Sequence, residues 1–201
     1  IHNDRVVGGT TAESTERAAR LYRSFSRGYV AETTASTAEL AKLAENTFRD
    51  INIAYANELS MLCSECGVNT EELINLANMH PRVNIHSPGA GVGGHCIPVD
   101  PWFIVSRFPR EAVLIRAARE VNIQKEAWVV DQVLQAAQRY NVDKVVMAGL
   151  TYKPDVDDFR ESPALRITEQ VAARLSQPLI GIDPYAGKLK DGQKVNFELQ
   201  S

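Results

Sequence analysis

The sequence predicts a mostly α-helical region followed by the start of an α/β domain built on a parallel sheet. Three observations carry this reading. A capping signal at Ser36 opens an unbroken helical stretch that stops at Gly67. A second long helical pattern covers residues 110–140. After it come an apolar strand, a helix and another apolar strand, in that order. Residues 1–35 read as the end of a further domain, so the expected boundaries are 1–35, 36–140 and 141–201.

Along the chain, Thr11–Phe25 has helical periodicity through Ala12, Ala18, Ala19, Leu21, Tyr22 and Phe25. Tyr29–Thr33 is short and β-capable. Ser36 followed by Glu39 has the form of a capping box, in which each side chain satisfies the other residue's backbone N–H. Gly67 suits the left-handed cap that ends such a helix. Asn69 or Thr70 opens the next helix, over Glu71–Met79, which Pro81 terminates. Ser87–Cys96 reads as a loop, and the helix over about Arg110–Tyr140 is far longer than the mean of about 11–12 residues. That length fits a helix that crosses between domains or lies at a subunit interface. Lys144–Leu150 is apolar nearly throughout, as a parallel strand covered on both faces requires. Ser162 and Pro163 form an N-cap and N1 pair for a helix over Ala164–Leu175, and Pro178–Asp183 supplies the next strand. The tail from Lys188 shows no third strand. A lone β-α-β unit leaves a sheet edge bare, so the domain reads as cut short, and Ile1-His2-Asn3-Asp4 reads as an opening in mid-domain.

The 201 residues carry a formal net charge of −3, which offers no basic field to nucleic acid or anionic lipid. No apolar run approaches the roughly 20 residues that span a bilayer, so no membrane partner is expected. Three cysteines do not make a disulfide framework, and a reducing, cytoplasmic compartment is expected.

The chemistry concentrates in two places. Ser87-Pro88-Gly89-Ala90-Gly91-Val92-Gly93-Gly94-His95-Cys96 holds four glycines in ten residues, a density that lets backbone lie against a ligand. Cys96 at its end is a candidate nucleophile, although free cysteines as often serve as small buried hydrophobes. On the helix after Ser36, Lys42, Asn46 and Arg49 sit at i, i+4 and i+7 and share a face. They make either a solvated stripe or a row of donors aimed at a developing anion. His80, Arg82, His86 and His95 lack the paired spacing of a zinc site, and no metal is expected. Cys63 and Cys66 lie in a helix tail, where structural burial accounts for them. Gly89–Gly94 only superficially suggests a dinucleotide fingerprint, since the flanking strand and helix are absent.

Three ordered segments carry a resemblance to a known family. Thr37–Asn46 (TAELAKLAEN), Gly93–Asp100 (GGHCIPVD) and Tyr152-Lys153-Pro154 through Arg160-Glu161-Ser162-Pro163 are similar to the UDP-glucose/GDP-mannose dehydrogenases. Within that family, His80–Asn84 and Cys96–Phe103 look most like the branch that oxidises UDP-N-acetylmannosamine. The resemblance implies a helical central dimerisation domain between two Rossmann-like domains, of which the second binds UDP. It implies a two-step, NAD-dependent oxidation of the sugar C6 alcohol to a carboxylate. Cys96 would attack the C6 aldehyde, Lys42 and Asn46 would stabilise oxyanions, and Asp100 would assist proton transfer with a bound water. Arg49, Ser87, Gly89, Gly91 and Gly93 would hold the sugar nucleotide, with Tyr152 and Lys153 at its nucleotide end. Arg160 would reach NAD. His80 and Arg82 would contact substrate, offered to a neighbouring subunit of a homodimer.

The family's glycine fingerprint and its catalytic-base glutamate have no counterpart in this sequence, and of the first Rossmann domain only the last helix and strand are expected. A piece without that cofactor pocket is expected to be inactive alone. Two other readings remain open from the residues: a catalytically silent helical dimerisation module, and a thiol enzyme of another type. The first has no use for Gly93-Gly94-His95-Cys96. The second wants a histidine base, for which His95 is badly placed as an immediate neighbour.

Overall fold

The computed structural model describes residues 2–189 and 195–201. The elements are β1 (Arg5–Gly9), α1 (Ala12–Arg23), β2 (Val30–Thr34), α2 (Ala35–Cys66), α3 (Thr70–Ala77), α4 (Asp100–Arg107), α5 (Val113–Tyr140), β3 (Val145–Ala148), α6 (Pro163–Arg174), β4 (Leu179–Ile182) and β5 (Glu198–Gln200). Two compact units divide the chain, 1–47 and 48–201. The mostly helical architecture with short parallel sheets is the one the sequence predicts.

The first unit is a β-α-β motif. β1 and β2 pair in parallel, from Arg5 opposite Val30 to Gly9 opposite Thr34, and α1 connects them. Thr11 caps α1 reciprocally: its hydroxyl accepts the Ser14 N–H at 3.1 Å, and Ser14 Oγ accepts the Thr11 N–H at 3.0 Å. Val7, Ala19 and Val30 form the small core, with Ala18 against it. The sequence reading finds α1 and β2 but misses β1, so two strands precede α2 where one was expected. Arg5–Gly9 hides because two of its five residues are glycines and its sides are only half buried.

β2 runs directly into α2, and this moves the helix start. α2 begins at Ala35, so Ser36 is already helical and does not cap it. Thr34 takes that role, its Oγ1 accepting the Thr37 N–H at 3.2 Å. A strand that ends where a helix begins must lend its own last residue as the cap.

In the second unit, α2 ends at Gly67, whose φ of +68° lets the Val68 N–H reach back to the Cys63 carbonyl at 2.9 Å. Asn69 caps α3 by accepting the Glu72 N–H at 3.0 Å. Of the two cysteines at the end of α2, Cys63 is buried and Cys66 exposed. α4 lies in a stretch to which the sequence reading assigned no element. Its eight residues are too few for a clear period, and Pro101 in its first turn disguises it, though proline is well tolerated there. α5 then runs for 28 residues and ends at Asn141 in the left-handed region.

The carboxy-terminal half of α5 packs on α6 and a three-stranded parallel sheet ordered β3-β4-β5. Val130, Ile167, Val171 and Leu179 are the buried centre, flanked by Val133, Leu134, Val145, Met147 and Phe197. Each such side chain contributes about 1.5–3 kcal/mol by leaving water. β5 corrects the expectation of no third strand. It pairs Ile180 with Glu198 and Ile182 with Gln200, and takes its strand character from β4 rather than from any pattern of its own. Among the described residues, no helix is long and apolar enough to cross a membrane.

Candidate active site

The glycine-rich loop lies against the segment that links β3 to α6. A side chain at Gly93 would place Cβ 2.6 Å from Pro163 Cδ and 2.8 Å from both the Glu161 carbonyl oxygen and Tyr152 Cβ. At Gly91 it would meet Glu126 Cγ and Pro163 Cβ, each at 2.8 Å. Gly94 has a φ of +91° and would approach the Tyr152 ring to 3.1 Å. At Gly93 the Glu161 carbonyl oxygen and Pro163 already fill the volume of a methyl group, and at Gly94 the positive φ itself favours glycine. Gly91 and Gly93 both lie against Pro163, and Gly93 and Gly94 lie against Tyr152.

Cys96 closes this loop and is exposed. Its carbonyl accepts the N–H groups of Val99 at 3.0 Å and Asp100 at 2.8 Å, a turn that leads straight into α4. Asp100 is the first residue of that helix, so it sits one turn beyond the thiol.

The facing segment is pinned at both ends. Asp183, buried at the end of β4, accepts the Leu150 N–H at 2.7 Å and the Thr151 N–H at 3.2 Å on Oδ2, and the Tyr185 N–H at 2.8 Å on Oδ1. Ser162 Oγ donates to the Leu150 carbonyl at 2.7 Å and accepts the Leu165 N–H, capping α6. Between these anchors, Arg160 grips Asp158 through Nε at 3.0 Å and Nη2 at 2.7 Å. Those hydrogen bonds, with a smaller pull from His95, hold the Asp158 carboxyl down at about 2. Asp157–Glu161 line a surface cavity of about 490 Å³ with Lys188 and Leu189. Arg160 keeps an exposed guanidinium at its wall, a planar cation that fits phosphate or carboxamide oxygens. Lys153 is exposed, its Nζ 5.6 Å from the Tyr152 ring centroid.

Behind the loop runs a buried polar chain that sequence reasoning missed. Arg119 Nη1 donates to Asp50 Oδ1 at 2.6 Å, and Asn122 Nδ2 donates to the same oxygen at 2.9 Å. Asn122 Oδ1 accepts from Asn57 Nδ2 at 2.8 Å, and Asn57 Oδ1 accepts the Gly89 N–H at 2.8 Å. Burial pushes the Asp50 carboxyl above its usual range, while Arg119 and Asn122 pull it back. A signal existed: Asn46, Asp50 and Asn57 recur at i, i+4 and i+11, a single stripe of α2, and are 3%, 0% and 0% exposed.

That stripe changes how the predicted row Lys42, Asn46 and Arg49 reads. Lys42 and Arg49 are exposed, with Lys42 Nζ 3.2 Å from Glu45, whereas Asn46 is buried. Lys42 and Asn46 belong to the first unit and Arg49 to the second. His80 and Arg82 are exposed on a loop that Asn78 braces, its amide bonding both the N–H and the carbonyl of Ile85. The Arg82 N–H donates to His80 Nδ1 at 3.3 Å. Ser87 and Gly89 are exposed at the entry to the glycine loop. Among the described residues, no three His, Cys, Asp or Glu side chains gather as metal ligands.

Comparison with known proteins matches residues 36–124 to the central domain of the UDP-glucose/GDP-mannose dehydrogenase family, and residues 146–200 to the UDP-binding domain of the same family. The chain belongs to the UDP-glucose/GDP-mannose dehydrogenase family. It is 52% identical over 185 residues to an NDP-N-acetyl-D-galactosaminuronic acid dehydrogenase of Ralstonia nicotianae, covering 92% of this chain and 44% of that protein. It is also 52% identical over 192 residues to the UDP-N-acetyl-D-mannosamine dehydrogenase of Escherichia coli K12, covering 92% and 46%. A solved UDP-D-ManNAc dehydrogenase of Pyrococcus horikoshii superposes with a TM-score of 0.86 at 43% identity, over 92% of this chain and 45% of that one. The chain thus spans a little under half the length of these family members. The central-domain match contains Lys42, Asn46, Arg49, His80, Arg82, the glycine loop, Cys96 and Asp100. The UDP-binding match contains Tyr152, Lys153 and Arg160.

Proposed function

We propose that this chain carries the substrate side of an NAD-dependent nucleotide-sugar 6-dehydrogenase, which oxidises the C6 alcohol of UDP-N-acetylmannosamine to the uronate. The observation that carries the reading is the exposed Cys96 at the end of a glycine loop seated against the Tyr152–Pro163 segment. A ligand held on that seam would meet backbone on one side and Tyr152, Lys153 and Arg160 on the other.

NAD would supply the hydride acceptor for both oxidations of C6, with Arg160 as the residue of this chain that would hold it. After the first, the substrate is a C6 aldehyde, and the alcohol proton leaves to a base. The Cys96 thiolate adds to this carbonyl, forming a C–S bond and a thiohemiacetal, so the aldehyde stays tethered between oxidations. Loss of the second hydride gives a thioester. Water then attacks, the C–S bond breaks, and the carboxylate departs while the thiol regains its proton. In this scheme Lys42 and Asn46 stabilise the oxyanions, Lys42 also exchanges protons, and Asp100 holds the attacking water. Arg49, Ser87, Gly89, Gly91 and Gly93 hold the sugar nucleotide, with Tyr152 and Lys153 at the UDP end. Arg160 is this chain's contact with NAD, and its exposed guanidinium supports that placement.

His80 and Arg82 act across a homodimer in this reading. Support comes from the exposed apolar side chains of α2 and α5, among them Tyr55, Leu62, Leu114 and Ile123. The low cysteine content and the absence of disulfides among the described cysteines fit a cytoplasmic enzyme. A second reading is oxidation of another UDP-sugar, UDP-N-acetylglucosamine or UDP-glucose, and one finding adds an N-acetylgalactosamine sugar to these. A galactosaminuronate enzyme matches at the same 52% identity as a mannosaminuronate one.

The test supplies the full-length protein with each UDP-sugar and NAD, and measures NADH and uronate together. Two NADH per uronate from UDP-N-acetylmannosamine is the expected result. Cys96→Ala is expected to bind the sugar yet form no acid. Full acid production by that variant would overturn the mechanism, and a preference for another sugar would overturn the substrate.

A further inference from the structure

The buried chain from Arg119 to Gly89 has a direction, and that direction sets the position of the glycine loop. Both of its ends are pure donors, a guanidinium N–H at Arg119 and a backbone N–H at Gly89. Two amides alone cannot link two donors, because each amide passes on the polarity it receives. Asp50 reverses it. Oδ1 takes both the Arg119 and the Asn122 donors, and the Asp50 backbone carbonyl takes Asn122 Nδ2 as well, at 3.1 Å. The Asn122 NH2 group is thereby committed, and its oxygen must face Asn57. Asn57 in turn must point its NH2 at Asn122, which leaves its oxygen facing Gly89. Turning either amide over would set oxygen against oxygen, or N–H against N–H, at side chains that are 0% and 1% exposed.

We propose that Asn57 is a positioning residue that anchors the Ser87–Gly94 loop, its amide oriented by Asp50 through Asn122. Gly89 is exposed and offers no side chain for packing, and this bond ties it to α2. Further along the loop, Gly93 and Gly94 meet the Tyr152–Pro163 segment, and Gly91 meets both Pro163 and Glu126 of α5. Asn57 therefore fixes the loop at its entry, while Glu126, Tyr152 and Pro163 bound it from Gly91 onward. Its role in sugar binding rests on the function proposed above, whereas its role in holding Gly89 does not.

The test uses amide hydrogen exchange and steady-state kinetics on the full-length protein. Asn57→Ala removes the acceptor. It is expected to speed exchange at Gly89 by roughly tenfold or more and to raise KM for the UDP-sugar by a similar factor, with kcat within about twofold. Asn57→Asp keeps an acceptor for Gly89 but sets a carboxylate oxygen against Asn122 Oδ1, so protection between that of Asn57→Ala and the wild type is expected. Asn122→Ala leaves that bond but frees the amide to turn, so an intermediate loss is expected; it also serves if Asn57→Ala does not fold. Unchanged exchange at Gly89 in Asn57→Ala and Asn122→Ala overturns the anchor, whatever the enzyme does. Faster exchange with an unchanged KM overturns its part in substrate binding. If exchange responds as expected but the wild-type protein oxidises no UDP-sugar, the anchor stands and the proposed function falls.

Discussion

Arg119 Nη1 lies 2.6 Å from Asp50 Oδ1, and the two side chains are only 6% and 0% exposed. A buried pair of this kind is costly to break from one side, because the partner is left as an uncompensated charge. Arg119→Ala should therefore destabilise the protein by about 3–5 kcal/mol in denaturant unfolding, whereas a joint Asp50→Leu, Arg119→Met change should cost much less. The loss should also depend on pH. Burial already raises the Asp50 carboxyl, and removing Arg119 takes away the main opposing influence. A carboxyl raised in the folded state favours folding while protonated, and that contribution disappears as pH rises from 3.8 through the raised value. The variant should thus lie closer to wild type near the acid end than at neutrality. A deficit that shrinks as pH rises would contradict this.

Gly93→Ala should disrupt the seam more than it disrupts the fold. Its new methyl group would fall 2.6 Å from Pro163 Cδ, so the loop must retreat from the Tyr152 side. We expect binding of UDP-sugar, followed by calorimetry, to weaken by at least tenfold. Gly187→Ala meets nothing within 4 Å and serves as the control, with binding near wild type.

Asp158 should titrate with a midpoint at about 2, read from its carboxyl carbon by NMR. Its lowered value means that the Arg160 contact favours the folded loop above the ordinary 3.8 and fades as pH falls from there towards 2. Arg160→Ala should return the midpoint towards 3.8. No movement would show that the fork at 2.7–3.0 Å does not persist in solution.

Lys42→Ala should slow turnover far more than it weakens sugar binding, and should leave thermal stability almost unchanged. The lysine's pairing with Glu45 at 3.2 Å is exposed on both sides, and such pairs contribute about 0–1 kcal/mol. An unaltered kcat would remove Lys42 from the proposed chemistry.

Asn141→Gly should stabilise the end of α5. Asn141 holds φ of 46°, in the left-handed region where a Cβ is strained, and glycine relieves that strain. A gain of up to about 1 kcal/mol is expected by thermal unfolding.

What the sequence determined by itself was everything written in local patterns. Apolar periodicity and the signals at Gly67, Asn69 and Ser162 located α2, α3, α5 and α6, and near-continuous apolar runs located β3 and β4. The ordered motifs around Lys42, Cys96 and Tyr152 led to the family, because residue identity at fixed spacing needs no coordinates. Tertiary structure decided what depends on a distant partner. β5 is a strand because β4 offers it a free edge, and β1 is a strand because β2 pairs with it. Thr34 caps α2 because β2 delivers the chain there with no intervening turn. Asn57 and Gly89 are 32 residues apart, and Asp50 and Asn122 are 72 apart, so no window of sequence joins them. A buried polar group must find its partner wherever the fold brings one, and that choice is made only when the helices pack.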